Sequence, residues 1–334
     1  MPQSLASLRK LQFGVESTNG TEANATSQIV GSWKVTEGIE RDYEEHPRGV
    51  RADVHAGGDD LRHGTKIEID EMFLTYEDIT RTLAAGLDDP AHSGAGPYVH
   101  LYAPVLSGPA TYKSFTCEWS ESDGTTKHIE RLALYALVRK FKLSGAVGEL
   151  AKCEEEWFAR KSASTTETAG LSPATGRAKI DSDLFGIWIN DSGAAIGTTQ
   201  KTGLLRSWEL EVEGGSVPDY TMDAASSLDF RAIKAGKLRG TFKATIELNS
   251  DAAAELGKWR GSSGKGLPRF IRLKATDGTK IVQIDFCLDY TSAPEFEDDD
   301  DDGRLMTISG KLEYDATWGK VIEVSVTNSI ATLP

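Results

Sequence analysis

Apolar residues recur at every second position over much of this chain, the periodicity of strands that bury one face. Trp208, Leu210 and Val212 alternate with Glu209, Glu211 and Glu213, and 242–248, 282–290 and 306–314 follow the same pattern. At the usual spacing of short strands this predicts roughly seven per half of the chain. Residues 128–141 also suit a helix, through Ile129, Leu132, Ala133, Ala136 and Leu137. Strand is favoured because Leu132, Leu134, Ala136 and Val138 alternate, and Phe141, Leu143 and Val147 continue after a one-residue slip of the kind a bulge supplies. Helical spacing follows Thr75 (Ile79, Leu83, Leu87) and Ser250 (Ala253, Leu256), and both openers can cap free N–H groups of a first turn.

The pattern is also duplicated. Ser32-Trp33-Lys34-Val35 returns as Ser207-Trp208-Glu209-Leu210, 175 positions later, and Ile67 and Ile69 return at the same offset as Phe242 and Ala244. The two helical stretches follow in the same order. Val99 and Leu101 then match Ile271 and Leu273 at 172, and Phe115, Cys117 and Trp119 match Phe286, Leu288 and Tyr290 at 171. An unbroken order predicts a duplicated domain. Residues 162–176 (SASTTETAGLSPATG) read as a flexible linker. The expected organisation is an N-terminal arm over 1–27, a first domain over 28–161, that linker, and a second domain over 177–334. The expected fold is mainly β (α+β): two tandem β-sandwiches, each with one short helix.

Composition narrows the function. At 334 residues, with 39% apolar and 26% charged side chains, the chain can build two cores in water. The net charge of −14 disfavours tight binding to nucleic acid or to an anionic membrane, both of which need surplus cations. Cys117, Cys153 and Cys287 are spaced for neither a disulfide framework nor a zinc site, so reduced thiols in a cytosolic setting are expected. No apolar run follows Arg9 and Lys10, so no secretory signal is visible, and the sequons at Asn19, Asn24 and Asn190 are read as chance matches.

Catalytic and metal signatures are not found. His46, His55, His63, His92, His100 and His128 form no HExxH or HxH pattern and are expected on the surface or in loops. Gly261-Ser262-Ser263-Gly264-Lys265-Gly266 lacks the first glycine and the Ser/Thr of a phosphate loop, and no GxSxG elbow occurs. The acidic run 297–302 (EDDDDD) lacks the alternating ligands of a calcium loop and reads as a solvated hairpin tip. Trp33, Trp119, Trp208 and Trp318 are expected in the core rather than as sugar-stacking platforms. No catalytic residue, cofactor or metal ligand is assigned, and no enzyme activity is expected.

Leu11-Gln12-Phe13-Gly14-Val15-Glu16-Ser17-Thr18-Asn19-Gly20-Thr21 resembles the opening of major tail proteins, the tail tube subunits of long-tailed, non-contractile bacteriophages. The second half, from Lys179 to Val326-Thr327-Asn328, resembles the tube domain of the same family. The resemblance implies a structural virion protein of a β-sandwich fold with a flanking helix. It further implies three two-domain chains per pseudo-sixfold ring, and rings stacked into a conduit for the genome. Implied partners are other copies of the chain, a tape measure protein, a tail terminator and passing double-stranded DNA held without tight binding, with no membrane. The implied location is the virion tail, assembled in the host cytoplasm.

On that reading an acidic lumen lets DNA slide, and Glu209, Glu211 and Glu213 are lumen candidates, with Lys34 at the matching position of the first half. Arg48, Arg51, Asp59, Asp60 and Arg62 are candidates for a loop that stacks rings, with a counterpart near 214–236, both expected to be mobile in the free subunit. Two other classes stay open: an extracellular glycan-binding β-sandwich and a two-domain hydrolase with an acid/base carboxylate pair.

Overall fold

Alternation becomes strand, and the protein is mainly β, with two α-helices among the described residues. The computed structural model describes residues 6–43, 58–108, 111–174, 177–222, 228–261, 266–298 and 303–333. The first half runs β1 (Lys10–Val15), β2 (Ser27–Gln28), β3 (Trp33–Tyr43), β4 (Gly58–Phe73), α1 (Ile79–Gly86), β5 (Ala91–Ser93), β6 (Tyr98–Tyr102), β7 (Phe115–Ser122), β8 (Lys127–Ala146), β9 (Lys152–Ala159) and β10 (Ala163–Ser164). The second runs β11 (Phe185–Asn190), β12 (Leu205–Glu213), β13 (Ser216–Asp219), β14 (Ala232–Ala235), β15 (Arg239–Glu247), α2 (Ser250–Arg260), β16 (Arg269–Asp277), β17 (Lys280–Tyr290), β18 (Glu295–Asp298), β19 (Arg304–Leu312) and β20 (Ile322–Asn328).

The same antiparallel pairings occur twice. In the first half β3 pairs with β4, β4 with β9, and β9 with the far end of β8. The near end of β8 pairs with β7 and β10, and β7 with β1. In the second half β12, β15, β19 and the end of β17 repeat the first series, while β20, β17, β16 and β11 repeat the second. Each half therefore has two sheet layers that share one long strand. Their facing sides meet in the core, where Phe13 of β1 lies 4.7 Å from Trp157 of β9 without any strand pairing between them.

A strand of 20 residues can serve two layers only by turning between them. β8 turns at Tyr135, whose φ of 57° is left-handed and where the register against β7 slips. A second slip, between Val138 and Lys140, supplies the expected change of phase before Phe141 and Leu143, whereas Val147 lies past the strand and is exposed.

The 175-residue offset holds where it was read: Trp33 faces Ile69 as Trp208 faces Ala244. The later matches joined the wrong strands. By pairing, β7 corresponds to β16, not to β17, and β6, which carries Val99 and Leu101, has no counterpart. The cause is the β5–β6 hairpin, inserted after α1 in the first half, where the second half has no strand between α2 and β16 among the described residues. Alternation looks alike on every strand, so pattern alone cannot reveal a shift by one whole strand.

The halves are stitched together by strand pairing. β8 pairs with β12 from Lys140–Glu213 to Ala146–Ser207, and the inserted β6 adds to the edge of β20. The stretch expected as a linker is packed: Ala163 and Ser164 form β10, and Ser162 and Glu167 are buried. Its anchor is Glu167, which accepts from Ser120 and pairs with Lys10 and Lys127. Within the stretch expected as an arm, β1 belongs to the first core, with Leu11 and Phe13 fully buried.

Every residue of α1 is buried, whereas in α2 only Ala252 and Glu255 are. The inserted segment covers α1, and the Tyr102 hydroxyl donates to Thr80 O at 3.0 Å. The Thr75 hydroxyl accepts the Asp78 N–H at 2.9 Å, in the turn before α1, while the N-cap of α1 is Asp78, three residues after the expected Thr75, and its side chain makes no cap bond. In α2 the cap is Asn249, one residue before the expected Ser250, and its side chain accepts from the N–H groups of Asp251 and Ala252.

Candidate functional site

Because β8 pairs with β12, the strands β3, β4, β9, β8, β12, β15 and β19 form one continuous sheet whose outer face is polar. Trp208, Leu210 and Val212 point into the core, which forces Glu209, Glu211 and Glu213 onto the opposite face. Register carries Lys34 to the same face: Lys34 faces Glu68, Glu68 faces Glu156, Glu156 faces Lys140, and Lys140 faces Glu213. The four lumen candidates are thus brought together on one side of one sheet.

That face mixes lysines with glutamates, with Glu68 and Glu156 directly opposite each other. Lys140 Nζ lies 2.7 Å from Glu211, while Lys142 Nζ lies 3.2 Å from Glu209 and 3.4 Å from Glu154. Lys66 pairs with Glu68 at 2.6 Å and Glu156 at 3.5 Å. Partial burial works against the charge of Lys142, yet the Glu209 and Glu154 carboxylates hold its pKa above the ordinary lysine value. Each exposed pair is worth about 0–1 kcal/mol, so the face is balanced more than it is stabilised. The acidity was expected to alternate between the halves rather than be uniform, with the glutamates on β12 and Lys34 on β3. Lys34, Lys66, Lys140, Lys142, Arg239, Lys243 and Lys311 are interleaved with the carboxylates across both halves.

The loop candidates divide. Arg48 and Arg51 lie outside the described residues. Asp59, Asp60 and Arg62 belong to β4 rather than to a loop, since pairing with β3 extends the strand to Gly58. Asp60 bonds Arg41 at 2.7 Å and His63 at 3.1 Å, and Arg62 lies over the Tyr220 ring. The described part of 214–236, expected to be mobile, is docked across the junction onto the first half. There Phe230 is buried against Tyr135 and Phe158, and Arg160 donates to the carbonyls of Phe230 and Arg231. The Tyr112 hydroxyl donates to Gly214 O, and Tyr220 to His63 O. An apolar anchor and backbone partners offset the ordering entropy that was expected to leave this segment free.

Histidines depart from the surface reading. His100 is fully buried and His63 nearly so, while His92 and His128 are exposed and His46 and His55 lie outside the described residues. Trp33, Trp119 and Trp208 are core residues; Trp318 is half-buried on the β19–β20 connection, edge-on to Phe270. All three cysteines are buried and free. Among the described residues no group of three or more His, Cys, Asp or Glu could hold a metal ion, and no helix is long and apolar enough to cross a membrane.

Sequence reading passed over two features of this sheet. β18 continues β17 along β19 and places Glu295 and Glu297 on the polar face, and the outer edges of β3 and β18 pair with no strand among the described residues. The alternation of Glu295 and Glu297 about Phe296 was the available signal. No protein-family model and no curated protein matches the chain.

Proposed function

We propose that this chain is the repeating subunit of a tube made of stacked rings, the tail tube of a long-tailed, non-contractile bacteriophage, with three chains per pseudo-sixfold ring. The supporting observation is the seam inside the chain. β8, the last strand of one unit's sheet, pairs with β12, the first strand of the next unit's, and the two units repeat the same strand pairings. This is a heterologous contact, and such contacts propagate until rotation closes them. β3 and β18 hold the places of β12 and β8 at the two ends of the joined sheet, so the same pairing between copies continues the series. Three chains then supply six units.

The polar face of the joined sheet becomes the lumen. Its central lysines, Lys66, Lys140 and Lys142, are engaged by glutamates, so these three cations are held back from the phosphates of passing DNA. A tape measure protein and a tail terminator are the further partners of such a tube, in the virion tail and, during assembly, in the host cytoplasm.

Negative-stain microscopy and sedimentation velocity of the purified protein test the reading. Rings or tubes with three chains per repeat are expected. A species that stays monomeric over a wide range of concentration and salt overturns it.

A further inference from the structure

We infer that the seam between copies carries the reverse charge of the seam inside the chain: the acidic edge of β18 on one copy pairs with the Lys34-bearing edge of β3 on the next. This rests on the ring reading above and names the surface that closes the ring.

Inside the chain the last strand of the first unit is cationic and the first strand of the second is anionic. Lys140 and Lys142 of β8 meet Glu209 and Glu211 of β12. The equivalent strands at the open ends have exchanged signs. At the 175-residue offset the counterparts of Glu209 and Glu211 are Lys34 and Thr36 of β3, and that of Ser207 is Ser32, just before the strand. On the other side, Lys142 and Ser144 face Glu154 and Lys152 of β9, and Glu295 and Glu297 face Thr307 and Leu305 of β19. β9 and β19 occupy the same place in the two units, each paired to the strand that follows the first, so Glu295 and Glu297 stand where Lys142 and Ser144 stand.

The observed register can then be carried over. Glu209 faces Ser144 and Glu211 faces Lys142. The same register between copies sets Lys34 across from Glu297 and Thr36 across from Glu295, with Lys34 on the diagonal from Glu295. That diagonal is the one along which Lys142 reaches Glu209 within the chain. All three charged side chains are exposed in the single chain.

Open strand edges pair indiscriminately unless charge prevents it. With β8 and β12 already paired to each other, the edges left open are β3 and β18; the acidic β18 edge repels a second β18 and is matched by the Lys34 edge of β3 on another copy of this chain.

Charge exchange tests it, with circular dichroism confirming that each variant is folded and wild-type assembly as the reference. Lys34→Glu should raise the concentration needed for assembly by about tenfold or more. The pair Glu295→Lys with Glu297→Lys should do the same. The triple variant, with the charges exchanged across the seam, should assemble again near the wild-type concentration. Unimpaired assembly of folded Lys34→Glu, or a folded triple variant no better than the single one, overturns the charged seam and leaves the ring reading standing. Wild-type protein that forms no ring under any condition removes the ring reading, and the seam with it.

Discussion

The carboxylate of Glu16 accepts the backbone N–H of Tyr135 at 2.8 Å, and Tyr135 is the one non-glycine residue with a left-handed backbone among those described. The same carboxylate accepts from Gly20 N–H at 2.6 Å, from the Ser114 hydroxyl at 2.5 Å and from Thr116 at 3.2 Å. A residue of the opening segment thus fixes the turn by which β8 passes from one sheet layer to the other. Glu16→Ala should destabilise the fold by about 3 kcal/mol, because buried donors lose a charged acceptor and the strained turn loses its support. Ser17→Ala, at an exposed neighbour, should change stability by less than about 0.5 kcal/mol. Denaturant unfolding of both variants checks this, and a similar small effect from each would contradict the role given to Glu16.

Arg81 of α1 and Glu155 of β9 are both fully buried, their charged groups 3.5 Å apart. Glu155 also accepts from Trp157 Nε1 at 2.7 Å and from the Thr82 hydroxyl. Glu155→Ala leaves Arg81 without its most buried counter-charge and should cost about 3–5 kcal/mol. Replacing both residues by apolar ones, Arg81→Met with Glu155→Leu, should cost less than the single change. A double variant as unstable as the sum of Arg81→Met and Glu155→Leu made singly would deny the coupling.

Gly214 lies so close to Gly86 that a Cβ on it would overlap the Gly86 carbonyl oxygen, a backbone atom that cannot swing aside. Gly214→Ala should therefore lower stability by about 2 kcal/mol or more. Gly257, in the interior of α2, has open space around it, and Gly257→Ala should raise stability by about 0.5–1 kcal/mol. Thermal unfolding gives both signs, and destabilisation by the second change would refute the packing described for α2.

His100 fastens the inserted hairpin to the second half. Its Nε2 lies 3.1 Å from Asn328 Oδ1 and 2.9 Å from Ile330 O, both acceptors, so this nitrogen carries the proton. Its Nδ1, 2.7 Å from His92 Nδ1, then accepts from His92. Burial pushes the His100 pKa down, opposed by the Asn328 and Ile330 bonds, and a charged His92 lowers it further. With the folded value below the unfolded one of about 6.5, the contribution of His100 is complete above that pH and fades as the pH falls towards the folded value. Hydrogen exchange of the β6 amides, corrected for intrinsic rate, should show weaker protection at about pH 5.5 than at about pH 7.5, with β16 unchanged. Equal protection of β6 at both would remove His100 as the sensitive group.

Period-two alternation determined by itself that the protein is mainly β, which face of β12 is buried, and that β8 is a strand with a slip before Phe141, because side-chain direction along a strand is a local property. The equal offsets of Trp33 and Trp208 and of Ile69 and Ala244 likewise marked one strand pair occurring twice. Which strand lies beside which is not local. The β5–β6 insertion, the packed course of 162–174 and the docking of Phe230 across the junction depend on contacts between residues far apart in the chain. The candidate surface divides the same way. Sequence placed Glu209, Glu211 and Glu213 on one face, but their lysine partners on β8 came into reach only when the halves joined edge to edge. Net charge is a sum over the chain, whereas the charge of a sheet face follows from register, and register is decided by the tertiary structure.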